Sequence, residues 1–127
     1  MERGEAVNSN LLIVGLCNIL VSVVCIASAI PLVRHKVKMN YWYGIRIPKS
    51  YSSPENWEKI NEYGGRALIY WSIPILLIGS AVVAAAFMLP KSEMQNTDWM
   101  VLFTPLSALL LLGALVQTLI WSKKLPD

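Results

Sequence analysis

The chain has 127 residues, of which 55% are hydrophobic and 15% charged, with a formal net charge of +3. That length admits a single domain, and that balance excludes an ordinary soluble one. The apolar residues gather in three blocks, 11–33, 67–89 and 99–121, and none of the blocks holds Asp, Glu, Lys, Arg or His.

Each block makes a helix about 35 Å long, enough to cross a hydrocarbon core of about 30 Å with some tilt. The expected fold is therefore all-α: one polytopic membrane domain over 1–127, with three transmembrane helices. Nine of the eleven Lys and Arg residues fall in segment 34–66 or after 121. The positive-inside rule then puts that segment and the C-terminus in the cytoplasm, and the N-terminus outside. It also leaves no basic face over for nucleic acid.

In chain order, the polar start gives way to the first span. Ala27-Ser28-Ala29 resembles a signal-peptidase site, but the preceding segment is not basic. Arg34, Lys36 and Lys38 follow as a stop-transfer signal, so the span is expected to stay. Gly15, Asn18, Ser22, Cys25 and Ala29 recur at three and four and form a face of small, weakly polar residues suited to close helix packing. Pro31 is expected to kink or end the helix. Cys17 and Cys25 are about 12 Å apart along the axis, too far for a disulfide. No metal-ligand spacing, catalytic constellation or cofactor motif accompanies them.

Segment 34–66 is the only long polar stretch. Arg34, Lys36 and Lys38 form a basic collar suited to anionic head groups, in which His35 reads as a solvated residue. Tyr41-Trp42-Tyr43 is an interface-type aromatic cluster. Asn40 and Gly44 shape a turn, and Pro48 holds Ile47 extended. Ser53-Pro54-Glu55 starts a helix, and Gly64-Gly65 is expected to stop it. The result would be a short amphipathic interfacial helix between the first and second spans, carrying Trp57, Ile60, Asn61 and Gly64 on one face. Trp57 is expected to anchor in the interface. Arg46 is expected to pair with a lipid phosphate, a helix-end carbonyl or Asn61, or to join Asn61 and Trp57 in a binding site.

The second span contains Pro74, where a bend is expected. Its small-xxx-small pairs Ser80/Ala84 and Ala81/Ala85 read as packing. After a short turn, Trp99 and Trp121 bracket the third span, with Ser107, Leu110, Ala114, Gln117 and Trp121 on one face. Asn18 and Gln117 are the only side-chain amides within the spans. Unpaired amides are costly in lipid, so both should face the bundle interior, with Asn18 at the depth of Ser107 and Gln117 at that of Ser72.

Asn40, Tyr43-Gly44-Ile45-Arg46, Pro48, Ser53, Trp57, Asn61 and Gly64, followed by an apolar span, resemble the signature of the SdpI family of small bacterial membrane proteins. The family pattern Asn-x-x-x-Gly-x-Arg-Thr-Pro is met except that Ile47 replaces the Thr, and Lys49-Ser50 replaces the Trp-Thr that usually follows. The resemblance implies a three-span protein of the bacterial cell membrane. Separately, the lack of a nucleophile–base pair, metal spacing, carboxylate dyad or Gly-rich phosphate loop leads to the expectation that the chain is not an enzyme. The resemblance also implies immunity against a secreted peptide toxin, and a cytoplasmic regulator as a further partner. The competing expectation is a membrane scaffold or subunit that works by helix association, including homo-oligomerisation, which the small-residue faces support.

Overall fold

The computed structural model describes residues 7–89 and 99–127, with the side chains of the last helix from 104 onward. The chain forms α1 (Ser9–Val33), a 3-10 turn (Pro48–Tyr51), α2 (Pro54–Met88) and α3 (Trp99–Ser122). All three helices are long and apolar enough to cross a membrane. The expected turn at 90–98 and the side chain of Trp99 lie outside the described residues.

Local chemistry sets the helix ends. Asn8 caps α1 by accepting a hydrogen bond from Leu11 N, at 3.3 Å. Its own N–H donates to Ala86 O at 3.2 Å, tying the start of α1 to the end of α2. Pro31 neither breaks nor immediately ends α1, which continues to Val33. There His35 adopts φ +55, Lys36 N donates to Pro31 O at 3.0 Å and His35 N to Leu32 O at 3.2 Å. This paired pattern is a Schellman stop, here with His in the left-handed position usually given to Gly. At α2, Ser53 Oγ accepts from Asn56 N at 3.0 Å, with Pro54 first in the helix and Glu55 in its first turn, as expected.

The separate interfacial helix does not exist. α2 runs unbroken for 35 residues through Gly64-Gly65 and Pro74, so the amphipathic segment and the second span are one rod. At about 52 Å it exceeds the hydrocarbon thickness by about 20 Å, and its first turns project past the span. Two glycines inside a helix cost about 1 kcal/mol each relative to Ala. Close approach offsets that cost. A Cβ on Gly65 would lie 3.0 Å from Val33 Cγ2 and 3.2 Å from Ala29 O, and one on Gly64 would overlap Ile45 Cδ1 and touch Thr118.

The bundle core is the α1–α2 seam. Leu11, Val14, Val82 and Ala86 pack at one end. Gly15 and Gly79 cross face to face: a Cβ on Gly15 would sit 2.9 Å from Gly79 O, and one on Gly79 would sit 3.0 Å from Gly15 O. The expected α1 face is buried at Gly15, Asn18, Ser22 and Ala29 and half-buried at Cys25. The expected α2 face is corrected. The seam is Ser72, Ile75, Gly79, Val82 and Ala86, whereas Ser80, Ala81 and Ala84 are exposed and Ala85 half-buried. Gly79 decides the register on α2 because, with Gly15 opposite, it lets the backbones touch there. Ile13, Leu20, Val24, Leu77, Leu109 and Ile120 point outward. So much outward apolar surface suits lipid, not water.

The two span amides behave differently. Asn18 is buried, donates to Val14 O at 2.9 Å and accepts from Ser107 Oγ, at the depth expected. Gln117 is not interior. It lies on the exposed side of the α2–α3 contact, where its Oε1 accepts from Trp71 Nε1 (2.7 Å) and its Nε2 donates to Tyr63 OH (3.1 Å). Aromatic polar edges on α2 satisfy the amide without burying it.

Candidate functional site

The loop between α1 and α2 folds back on both helices, and its motif residues make the fastenings. Asn40 builds the first turn: its Oδ1 accepts from Trp42 N and Tyr43 N, both at 2.7 Å, while its Nδ2 donates to Lys38 O and Tyr43 O. This is an Asx turn. Its carbonyl accepts from Tyr51 OH at 3.0 Å, which closes the loop upon itself. Tyr43 OH donates to Ser28 O, so the loop lies along the last turns of α1.

Gly44 sits at φ +117, a conformation that L side chains rarely adopt. A Cβ there would also lie 2.7 Å from Asn61 Oδ1 and 3.1 Å from the Trp57 ring. That space lets the next residue reach α2: Ile45 N donates to Asn61 Oδ1 at 2.6 Å. Asn61 Nδ2 donates back to Trp57 O at 2.9 Å, which fixes the amide's orientation. Trp57, 1% exposed, donates from Nε1 to Val37 O at 2.8 Å and packs its ring near Tyr51 (centroids 5.5 Å). Trp57 therefore holds the loop from below and does not anchor in the interface. Asn61 pairs with Ile45, not with Arg46.

Past Pro48, Ser50 is fully buried; its Oγ donates to Ile47 O at 2.7 Å and accepts from Ile47 N at 3.2 Å. The C-terminal tail covers this side. Asn56 Nδ2 donates to Ser52 Oγ (2.7 Å) and to Pro126 O (2.9 Å), and Lys49 pairs with Asp127. That lysine holds the Asp127 carboxyl below its usual range, through its hydrogen bond first and its charge second. Lys59, four residues on, lowers the Glu55 carboxyl in the same way.

The structure thus divides the expected site. Asn61, Trp57 and Gly64 are buried, Asn40 and Gly44 are half-buried turn residues, and Pro48 starts the 3-10 turn from an exposed position. Arg46 is exposed, and its Nη1 donates to Tyr41 O. Tyr41 (77% exposed) and its neighbours in sequence Lys38, Met39 and Trp42 (90%) are exposed as well. The open part is an edge of aromatic rings and cations, chemistry that suits a partner with apolar and anionic groups.

Three features were not read from the sequence. His35, expected to be solvated, places Nε2 3.1 Å from Glu62 Oε2, while Arg66 Nη2 donates to Glu62 Oε1 at 2.8 Å. Ser50 and Asn56 are buried polar anchors, and the tail closes on the loop. Asn56 stands three residues after the cap Ser53, a spacing that marks it as a cap-side residue; the tail contacts have no local signal.

The chain matches the family model described as the SdpI/YfhL protein family over residues 36–118. That match begins in the basic collar and ends on α3, so it takes in the whole fastened loop. Comparison with curated proteins found no match, and comparison with solved structures found none.

Proposed function

The chain belongs to the SdpI/YfhL family, and from that membership we propose that it is an immunity-type protein of the bacterial cell membrane. It protects the membrane from a secreted peptide toxin without chemistry of its own. The loop end faces the cytoplasm, as its collar of Arg34, Lys36 and Lys38 favours, and the basic collar rests on anionic head groups. The exposed edge Tyr41-Trp42 with Arg46 is the docking surface for a cytoplasmic regulator.

One observation carries this reading. The family motif is spent mostly on fixing a loop, and what that loop leaves open is an aromatic, cationic edge. Among the described residues Trp42 stays 90% exposed, and large apolar side chains held out by a hydrogen-bonded turn mark recognition surfaces.

The test is survival and membrane potential of toxin-sensitive bacteria that express the chain, under challenge with a secreted membrane-active peptide toxin. Expression is expected to raise survival and to preserve the potential. Equal killing with and without the chain, at verified membrane levels, would remove the immunity role.

A further inference from the structure

A groove of about 460 Å³ opens between α2 and α3, away from the motif loop's exposed edge. Its wall is a connected ladder. Trp71 lies across Gly113, where a Cβ would stand 3.2 Å from the indole. Trp71 Nε1 donates to Gln117, Gln117 donates to Tyr63 OH, and Tyr63 stacks on Trp121 with centroids 4.2 Å apart and planes 3° apart. Val116 and Ile120 add exposed apolar surface, and Lys124 stands at the end.

The dimensions run along the membrane normal. From Gly113 to the helix end at Ser122 is about 14 Å, about half of a 30 Å hydrocarbon core, and Lys124 stands two residues beyond. The groove therefore spans one leaflet, apolar toward the bilayer centre, aromatic toward the interface and cationic at the surface. Among the described residues neither Lys123 nor Lys124 takes part in an ion pair. Lys49, by contrast, is occupied by Asp127.

We propose that this groove is a binding site for one anionic phospholipid. An acyl chain lies along Gly113, Val116 and Ile120, and the phosphate head group sits on Lys124. The ladder keeps the Gln117 amide satisfied while presenting ring faces to the chain, so the polar network costs the lipid contact nothing. A zwitterionic lipid such as phosphatidylcholine would fill the same groove, but its quaternary ammonium offsets the phosphate charge and weakens the attraction to the cation.

The experiment is native mass spectrometry of the full chain released from nanodiscs of equimolar phosphatidylglycerol and phosphatidylcholine. The wild type is expected to retain phosphatidylglycerol preferentially, and Lys124→Gln to cut that preference about fivefold, the effect of one basic residue at a charged surface. Lys59→Gln removes a cation that already pairs with Glu55 and does not line the groove, and is expected to leave the preference intact. Ile120→Trp, and independently Val116→Trp, fills the groove from exposed positions and is expected to abolish retention. No preference in the wild type, equal losses in Lys59→Gln and Lys124→Gln, or retention unchanged in both groove-filling variants would each overturn the site.

Discussion

Asn61→Ala isolates the fastening of the loop to α2. Asn61 is 2% exposed and its Oδ1 is the acceptor for Ile45 N at 2.6 Å. Its Nδ2 bond to Trp57 O is less critical, because that carbonyl also sits within the helix ladder of α2. The substitution therefore leaves one half-buried backbone N–H without its partner. An unsatisfied buried donor costs about 1–3 kcal/mol, which corresponds to a roughly 5- to 150-fold rise in the open population of the loop. Hydrogen exchange at the Ile45 amide, in detergent or nanodiscs, reads that opening directly. Exchange should accelerate within this range at Ile45 and its loop neighbours, while amides of the α1–α2 seam near Gly15 and Gly79 keep their protection. An unchanged Ile45 rate would refute the tie between loop and helix. Equal acceleration along the seam would mean global loosening instead.

Gly44→Ala should cost about 1–3 kcal/mol from its positive φ alone. Because the new Cβ meets Asn61 Oδ1, its combination with Asn61→Ala should be less than additive in a denaturation-based double-mutant cycle. Gly79→Leu should destabilise by about 1–3 kcal/mol by forcing α1 from α2, whereas Ala81→Leu, on the exposed side, should stay within about 0.5 kcal/mol; denaturation in mixed micelles compares them. The Asp127 carboxyl is depressed by Lys49, so its hold on the tail is present above its ordinary value of 3.8 and is lost as pH falls through the lowered one. Lys49→Met should move the Asp127 titration, followed by NMR, back up toward 3.8.

The spans were legible because uninterrupted apolar runs leave few alternatives to a membrane helix, and the α1 face was legible because small residues at three and four spacing have few other uses. The depth match of Asn18 with Ser107 followed from rise per residue alone. Gly64-Gly65 misled because a glycine pair has the same local appearance as a stop and as a close-packed crossing. Only the neighbours Ala29, Val33, Ile45 and Thr118, which come from elsewhere in the chain, distinguish the two. The α2 face slipped for a related reason: several small residues compete there, and the partner glycine on α1 selects among them. Gln117 escaped the interior because Trp71 and Tyr63 offered partners at the lipid-facing side.

In the motif, residue types pointed to the right stretch but not to the division of labour within it. Asn61 and Trp57 carry polar atoms that looked available for a ligand, yet both are consumed by backbone groups of Ile45 and Val37. Arg46 and Trp42 were left outside by the same turn. Long-range backbone partners leave no trace in local spacing, so this split could only come from the folded loop.

The most direct measurement is toxin survival of bacteria expressing wild type, Trp42→Ala and Arg46→Ala at matched membrane levels, with the exposed Glu58→Gln on α2 as control. Wild type and control should protect, and both edge variants should lose protection while Ile45 keeps its exchange protection. Undiminished protection in Trp42→Ala and Arg46→Ala would contradict an immunity role for the exposed edge of the loop.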